Sequence, residues 1–231
     1  MSEQSMINLV KALVGAELTS ADAVDVRDIL PRGSVVTVSR SYGSGGLDFA
    51  RTLANKLGVR CFDRELLDAV ASDAKVPRYL MERLDEQTAS TWDDWTHSLI
   101  TGKPAAKDDY RRHLINVVLG VARAGGVIVG RGAHLILDEK HVFRVRIVAS
   151  PERCAKEIAT RKNLSMEAAR KEVERVNRER TDFIRTHFKA AWDDSSRYDI
   201  VLNSDRLDKE AMIEIVLQTM EHAGFVVKKN E

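Results

Sequence analysis

The residues with the clearest chemical promise occupy one short stretch, Arg40-Ser41-Tyr42-Gly43-Ser44-Gly45-Gly46-Leu47-Asp48. A β-branched run, Val35-Val36-Thr37-Val38, precedes it and an amphipathic helical pattern, Leu47 to Leu57, follows. Consecutive small residues let backbone N–H groups turn inward, and the helix start adds partial positive charge, so the segment reads as a phosphate cradle. The full phosphate-loop pattern is G-x-x-x-x-G-K-S/T. Aligned on Gly45, this chain has Arg40 in place of the first glycine and Gly46 in place of the lysine, and the hydroxyl that would hold Mg²⁺ is absent. Asp48 is the one loop carboxylate left to act on a divalent ion, and it could equally repel phosphate. A tight glycine turn without a ligand is the plain alternative.

A second group lies on the helical stretch after Ser165. Arg178, Asp182 and Arg185 are spaced four and three apart, which puts them on one helix face, while Val173, Val176 and Phe183 lie on another. A carboxylate there can accept from sugar hydroxyls, and guanidinium forks can grip a phosphate bidentately. A solvated face with an internal Arg178–Asp182 pair is the other reading. Arg131, in Gly130-Arg131-Gly132, follows a strand and has small neighbours that leave room for a ligand; Asp63 follows the weak strand Val59–Phe62. Either could be a fold-stabilising partner instead. Arg153, Arg161 and Lys162 flank a candidate lid over 160–166 and could close on a triphosphate or simply face water. The six histidines show no metal spacing, there is no nucleophile elbow, and Cys61 and Cys154 make neither a disulfide framework nor a metal knuckle.

The elements that must position these groups are legible as apolar runs. Val35–Val38, Gly126–Val129, Val142–Val148 and Asp199–Leu202, with Val59–Phe62 as a weaker fifth, are near-continuous strands separated by helical stretches. Such a pattern predicts an α/β fold with a parallel sheet between helices, and ligands in such sheets bind beyond the carboxyl ends of the strands. Ser150-Pro151-Glu152 and Ser165-Met166-Glu167 are helix starts. The chain splits by pattern into a helical appendage over 1–33 and a main domain over 34–231, with a mostly helical, acidic insertion over 63–112 and the lid with its flanking helices over about 153–188.

With 231 residues, 44% hydrophobic and 31% charged, there is ample material for one sizeable core. A formal net charge of +1 argues against nucleic acid or an anionic membrane as partner, and no apolar stretch approaches a membrane span. The start of the chain lacks a signal-peptide pattern, so a cytoplasmic protein is expected. In the appendage, Met6, Leu9, Val10, Leu13 and Val14 form an apolar stripe that either packs on its own domain or makes a homodimer contact.

Arg40-Ser-Tyr-Gly-Ser-Gly-Gly46, Leu53-Ala-x-x-Leu57-Gly58, Phe62-Asp63-Arg64-Glu65-Leu66-Leu67, Val129-Gly-Arg-Gly132, Val145-Arg-Ile-Val148 and Tyr198-Asp-Ile-Val-Leu-Asn203 occur in that order. Together they resemble the cytidylate kinase-like family of P-loop proteins over roughly 34–220. The resemblance implies a three-layer P-loop kinase-like fold: a five-stranded parallel sheet, a helical insertion that binds a nucleoside monophosphate, and a mobile lid. It implies phosphoryl transfer from ATP, with Mg²⁺, to a nucleotide such as CMP or dCMP. Arg40, Arg131 and Arg185 would supply catalytic charge, and Gly43 to Asp48 the phosphate loop. Asp63, Arg131, Arg178, Asp182 and Arg185 would hold the acceptor, with Arg178 and Asp182 on its sugar and Arg185 on its phosphate. Gly132 stands where cytidylate kinases carry Asp, and Val148-Ala149-Ser150 lacks the Asp that ends their fourth strand. A nucleotide-binding module that transfers nothing, and a kinase of another small metabolite, remain the alternatives.

Overall fold

A computed structural model describes residues 35–63, 105–137 and 139–227. The apolar stripe of the appendage, and with it the homodimer expectation, lies outside these residues, as does the insertion between 64 and 104. The chain divides into two units, one of residues 1–32 and 64–124, the other of 33–63 and 125–231. Of the first unit the described part is helix α2 (Ala105–Ala124), in which Leu114, Val117, Val118 and Val121 are buried at the spacing of a single helical stripe.

The second unit is built on five strands: β1 (Val35–Arg40), β2 (Cys61–Phe62), β3 (Gly126–Val129), β4 (Phe143–Val148) and β5 (Ile200–Asn203). They form one sheet in the order β2-β3-β1-β4-β5, parallel throughout. The anticipated five-stranded parallel sheet is therefore present. Helices α1 (Gly46–Lys56), α3 (Ala133–Ile136), α4 (Pro151–Lys162), α5 (Met166–Phe188) and α6 (Lys209–His222) complete the unit.

Strand alternation gives the sheet two unlike faces. Val36, Val38, Val127, Val129, Phe143, Val145, Ile147 and Leu202 point one way and bury against Phe49, Ala50, Leu53 and Ala54 of α1 and Met212, Ile213, Val216 and Met220 of α6. Each such side chain contributes about 1.5–3 kcal/mol on removal from water. The other side carries the apolar Val35, Phe62 and Ile128 and, beside them, the buried polar side chains Thr37, Ser39 and Arg146.

Local chemistry sets the helix boundaries near the site. Ser150 accepts the Arg153 N–H at 3.3 Å and Pro151 follows it, so α4 starts where the sequence predicts. Asn163 ends α4 in the left-handed region, and Ser165 accepts the Ala168 N–H at 3.2 Å to start α5. The candidate lid is thus a tight helical hairpin held by Cys154, Ala155, Ile158, Ala169 and Val173. Among the described residues no helix is long and apolar enough to cross a membrane.

Candidate functional site

The glycine-rich segment forms a closed turn at the carboxyl end of β1. Ser41 donates its N–H to the Ile147 carbonyl at 3.0 Å, and Ser44 donates both N–H and hydroxyl to the Ser41 carbonyl, at 3.3 and 2.9 Å. Gly43 has φ +88°, and a Cβ there would lie 2.5 Å from the Cys154 carbonyl oxygen, so only glycine passes beneath α4. At Gly45 a Cβ would meet nothing within 4 Å: the turn opens at the N-terminus of α1. The first N–H groups of α1 have no acceptor within the helix and face that opening, which suits an anion.

One loop donor is committed elsewhere. Tyr42 gives its N–H to Asn177 Oδ1 of α5 at 2.8 Å, and Arg180, three residues on, donates from Nη1 to the Arg40 carbonyl at 2.7 Å. The Tyr42 ring has Arg180, Arg161 and Lys162 around it at 5.4, 5.5 and 5.7 Å. Of the three candidate lid cations, Arg161 and Lys162 therefore stand at the loop. Lys162 also pairs with Glu172 at 2.8 Å, and that contact, followed by its contact with Tyr42, raises its pKa. Arg153 turns away, 3.9 Å from Asp205, whose carboxylate accepts the Ser150 N–H at 2.8 Å. Asn177 and Arg180 were not foreseen; their i, i+3 spacing on the helix that carries the candidate residues Arg178, Asp182 and Arg185 was the available signal.

The Gly130-Arg131-Gly132 turn, just past β3, is left-handed at three successive residues, with φ +81°, +51° and +71°. For Arg131 that conformation is strained, and strain of this kind concentrates at ligand sites. Its guanidinium lies 4.5 Å from the centre of the Phe183 ring on α5, between Asp182 and Ile184 in sequence. A Cβ at Gly132 would run into the Phe188 ring, so the Asp that cytidylate kinases carry here has no room in this chain.

Of the helix-face triad, Arg178 and Arg185 are exposed and Asp182 half-exposed. Asp182 pairs with Arg185 at 2.7 Å, while Arg178 makes no ion pair among the described residues. Asp63, at the end of β2, receives Arg51 Nη2 at 3.2 Å. Asp48 receives Lys209 Nζ at 2.9 Å, an exposed pair that raises the Lys209 pKa. No group of three or more His, Cys, Asp or Glu among the described residues could hold a metal ion. Among the described residues the loop's one carboxylate, Asp48, is engaged by Lys209, so no set of side chains there forms a protein-held divalent site.

Beside Arg40, on the polar face of the sheet, lies a buried network that sequence reasoning missed. Arg146, 7% exposed and opposite Ser39 in the β1–β4 register, donates to the Trp192 carbonyl at 2.5 Å and to the Tyr198 hydroxyl at 3.2 Å. It stacks over the Trp192 ring at 4.5 Å, and no carboxylate among the described residues pairs with it. Trp192 Nε1 donates to Ser39 Oγ at 2.9 Å, and Tyr198 Oη hydrogen-bonds His134 Nε2 at 3.1 Å. Burial, and then the charges of Arg146, Arg144 and Arg197, push the His134 pKa down to about 3. The imidazole is therefore neutral in the fold.

The family described as cytidylate kinase-like matches residues 35–206, which takes in the loop, the strained turn and the whole α4–α5 hairpin. The chain belongs to that family. No protein of curated function matches it. Among solved structures, an uncharacterized protein from Eubacterium ventriosum ATCC 27560 is similar over 81% of this chain and 98% of its own, at 20% identity and a TM-score of 0.63. That likeness concerns the fold. A shikimate kinase from Bacteroides thetaiotaomicron aligns more loosely, with 16% identity and a TM-score of 0.44 over 83% of this chain and 99% of its own, and adds nothing to the fold assignment. Family membership makes this a P-loop kinase-like α/β fold.

Proposed function

We propose that this family member transfers the γ-phosphoryl group of ATP to a nucleoside monophosphate, with CMP and dCMP the first acceptors to examine. The observation that supports the reading is the join between loop and hairpin: α5 grips the phosphate loop through Asn177 and Arg180, so one helix spans the donor cradle and the Arg178–Asp182–Arg185 face. Phosphoryl transfer asks the protein for positioning and charge neutralisation, with little covalent work. An oxygen of the acceptor phosphate attacks the γ-phosphorus, the bond to the β–γ bridging oxygen breaks, and ADP leaves with that electron pair. The α1 N-terminus, Arg161 and Lys162 would hold the triphosphate. Arg131, fixed against Phe183, would meet the acceptor side, and Arg185 would exchange its Asp182 partner for the acceptor phosphate.

A second reading has its own support. Gly46 replaces the loop lysine and Asp48 is engaged by Lys209, which favours a module that binds a nucleotide and transfers nothing. A thermal-shift panel of nucleoside mono-, di- and triphosphates, with and without Mg²⁺, followed by a coupled ADP-release assay, separates the two. A ligand at 100 times its Kd adds about 2.7 kcal/mol of stability, so binding is readily seen. A shift with ADP release supports the kinase; a shift without turnover supports the binding module; no shift with any nucleotide removes both.

A further inference from the structure

The geometry points to Arg40 as the phosphate-binding cation of this loop, relocated from the helix start to the end of β1. The inference rests on the phosphate-loop reading and names the side chain that makes up for the missing lysine. Relative to G-x-x-x-x-G-K-S/T, the chain shows a reciprocal exchange, with a cation where the first glycine belongs and a glycine where the lysine belongs. The two positions touch. A Cβ at Gly46 would lie 2.5 Å from Arg40 Cβ and 3.0 Å from its Cγ, so the Arg40 stem occupies the space a side chain at 46 would need. At its far end the Arg40 Nη1 would lie 2.5 Å from a Cβ at Gly130, the first residue of the strained turn. The guanidinium is thereby carried from the loop to the Gly130-Arg131-Gly132 turn, across the carboxyl ends of β1 and β3, between the proposed donor and acceptor sides. Its backbone is pinned too: Arg40 pairs with Ile147 across the sheet, and its carbonyl receives Arg180 at 2.7 Å.

A guanidinium held in this way offers a planar fork to a phosphate, where lysine would offer a point charge. Gly46 must lack Cβ for the Arg40 stem to pass, while Gly130, glycine already by its φ of +81°, leaves room for the guanidinium tip.

The test is calorimetric titration of the full chain with ATP and, separately, with inorganic tripolyphosphate. Arg40→Ala should weaken both ligands ten- to a hundredfold, the loss of one charge-assisted phosphate contact. Gly46→Lys alone forces a Cβ onto Arg40 and should lower the melting temperature. The combined Arg40→Gly, Gly46→Lys variant restores the first glycine and the lysine of the ordinary loop and should recover affinity to within about threefold of the parent, a non-additivity expected of two residues sharing one space. Should Arg40→Ala fail to fold, Arg40→Gln keeps the stem against Gly46 and is judged by the same loss. A folded Arg40 variant with undiminished tripolyphosphate affinity, or a double variant no better than Arg40→Ala, overturns the proposal. If the parent chain binds tripolyphosphate through Arg40 but no nucleotide, the relocated cation stands and the kinase reading falls. If it binds ATP equally well without Arg40, the reverse holds; if it binds neither ligand, both fall.

Discussion

The two faces of the sheet differ in what they bury alongside apolar side chains. Toward α1 and α6 the strands present Val, Ile, Leu and Phe, and packing alone holds the layer. On the other face Ser39, His134, Arg146, Trp192 and Tyr198 are joined by directed hydrogen bonds and ring contacts. Neighbouring arginines on one strand show how particular this is. Arg144 of β4 has Asp199 at 2.8 Å and Glu139 at 3.3 Å, whereas Arg146, two residues on, has π faces, a hydroxyl and a carbonyl. A buried cation without a carboxylate is an expensive thing to keep. The apolar face secures the fold; the other face holds the Arg146 charge, joined through the Tyr198 hydroxyl to His134 of α3.

The comparison breaks most visibly at Phe49, fully buried on the apolar face. Phe49→Ala should cost about 3–5 kcal/mol, measured by urea denaturation, and the loss should be equal at pH 5 and pH 7. A pH-dependent loss would mean that the two faces are energetically linked.

Gly132→Ala comes next. The residue has φ +71° and its Cβ would enter the Phe188 ring, so left-handed strain adds to overpacking, together about 3 kcal/mol. Gly45→Ala, also left-handed but with open space around it, should cost only the strain component. Equal losses at the two sites would show that Phe188 yields freely and that the turn is not locked to α5.

Acid should act through the polar face. His134 has a pKa near 3 in the fold and about 6.5 unfolded, so between those values the unfolded chain binds more protons. Its contribution is intact above pH 6.5 and falls as pH drops toward 3, at 1.36 kcal/mol per pH unit, or about 2 kcal/mol by pH 5. His134→Gln keeps a polar atom for Tyr198 but cannot titrate. The difference in stability between pH 7 and pH 5 should shrink by that amount in the variant, and parallel profiles would sink the idea.

What could be read from the sequence divides along the same line. The strands and the caps at Ser150 and Ser165 were legible because apolar runs and N-cap chemistry are local signals. The polar network was not, because Trp192 meets Ser39 across 153 residues and no spacing rule joins a tryptophan to a serine that far away. The loop's glycines were visible, but not that Gly46 makes room for Arg40, which needs the side chain's path. On α5 the common face of Arg178, Asp182 and Arg185 was readable from helical spacing. Which arginine takes the aspartate was not: Asp182 pairs with Arg185, three residues away, and not with Arg178, its partner in the solvated-face reading.

That pairing yields the perturbation with the smallest effect on the fold and a large one on binding. Arg185 and Asp182 are both substantially exposed, with side chains 73% and 49% accessible, and exposed pairs contribute little to stability. Arg185→Ala should therefore leave urea stability within about 0.5 kcal/mol of the parent. If Arg185 grips the acceptor phosphate, the same change should weaken monophosphate binding by about 2 kcal/mol, the scale of a charge-assisted hydrogen bond. Triphosphate affinity, which on this reading depends on the loop held by Asn177 and Arg180, should hold. Arg185→Lys separates geometry from charge, since a lysine keeps the charge but not the planar fork, so partial recovery is expected. Unchanged monophosphate affinity in Arg185→Ala would return this face of α5 to a solvated surface and leave acceptor binding to Arg131 and the strained turn.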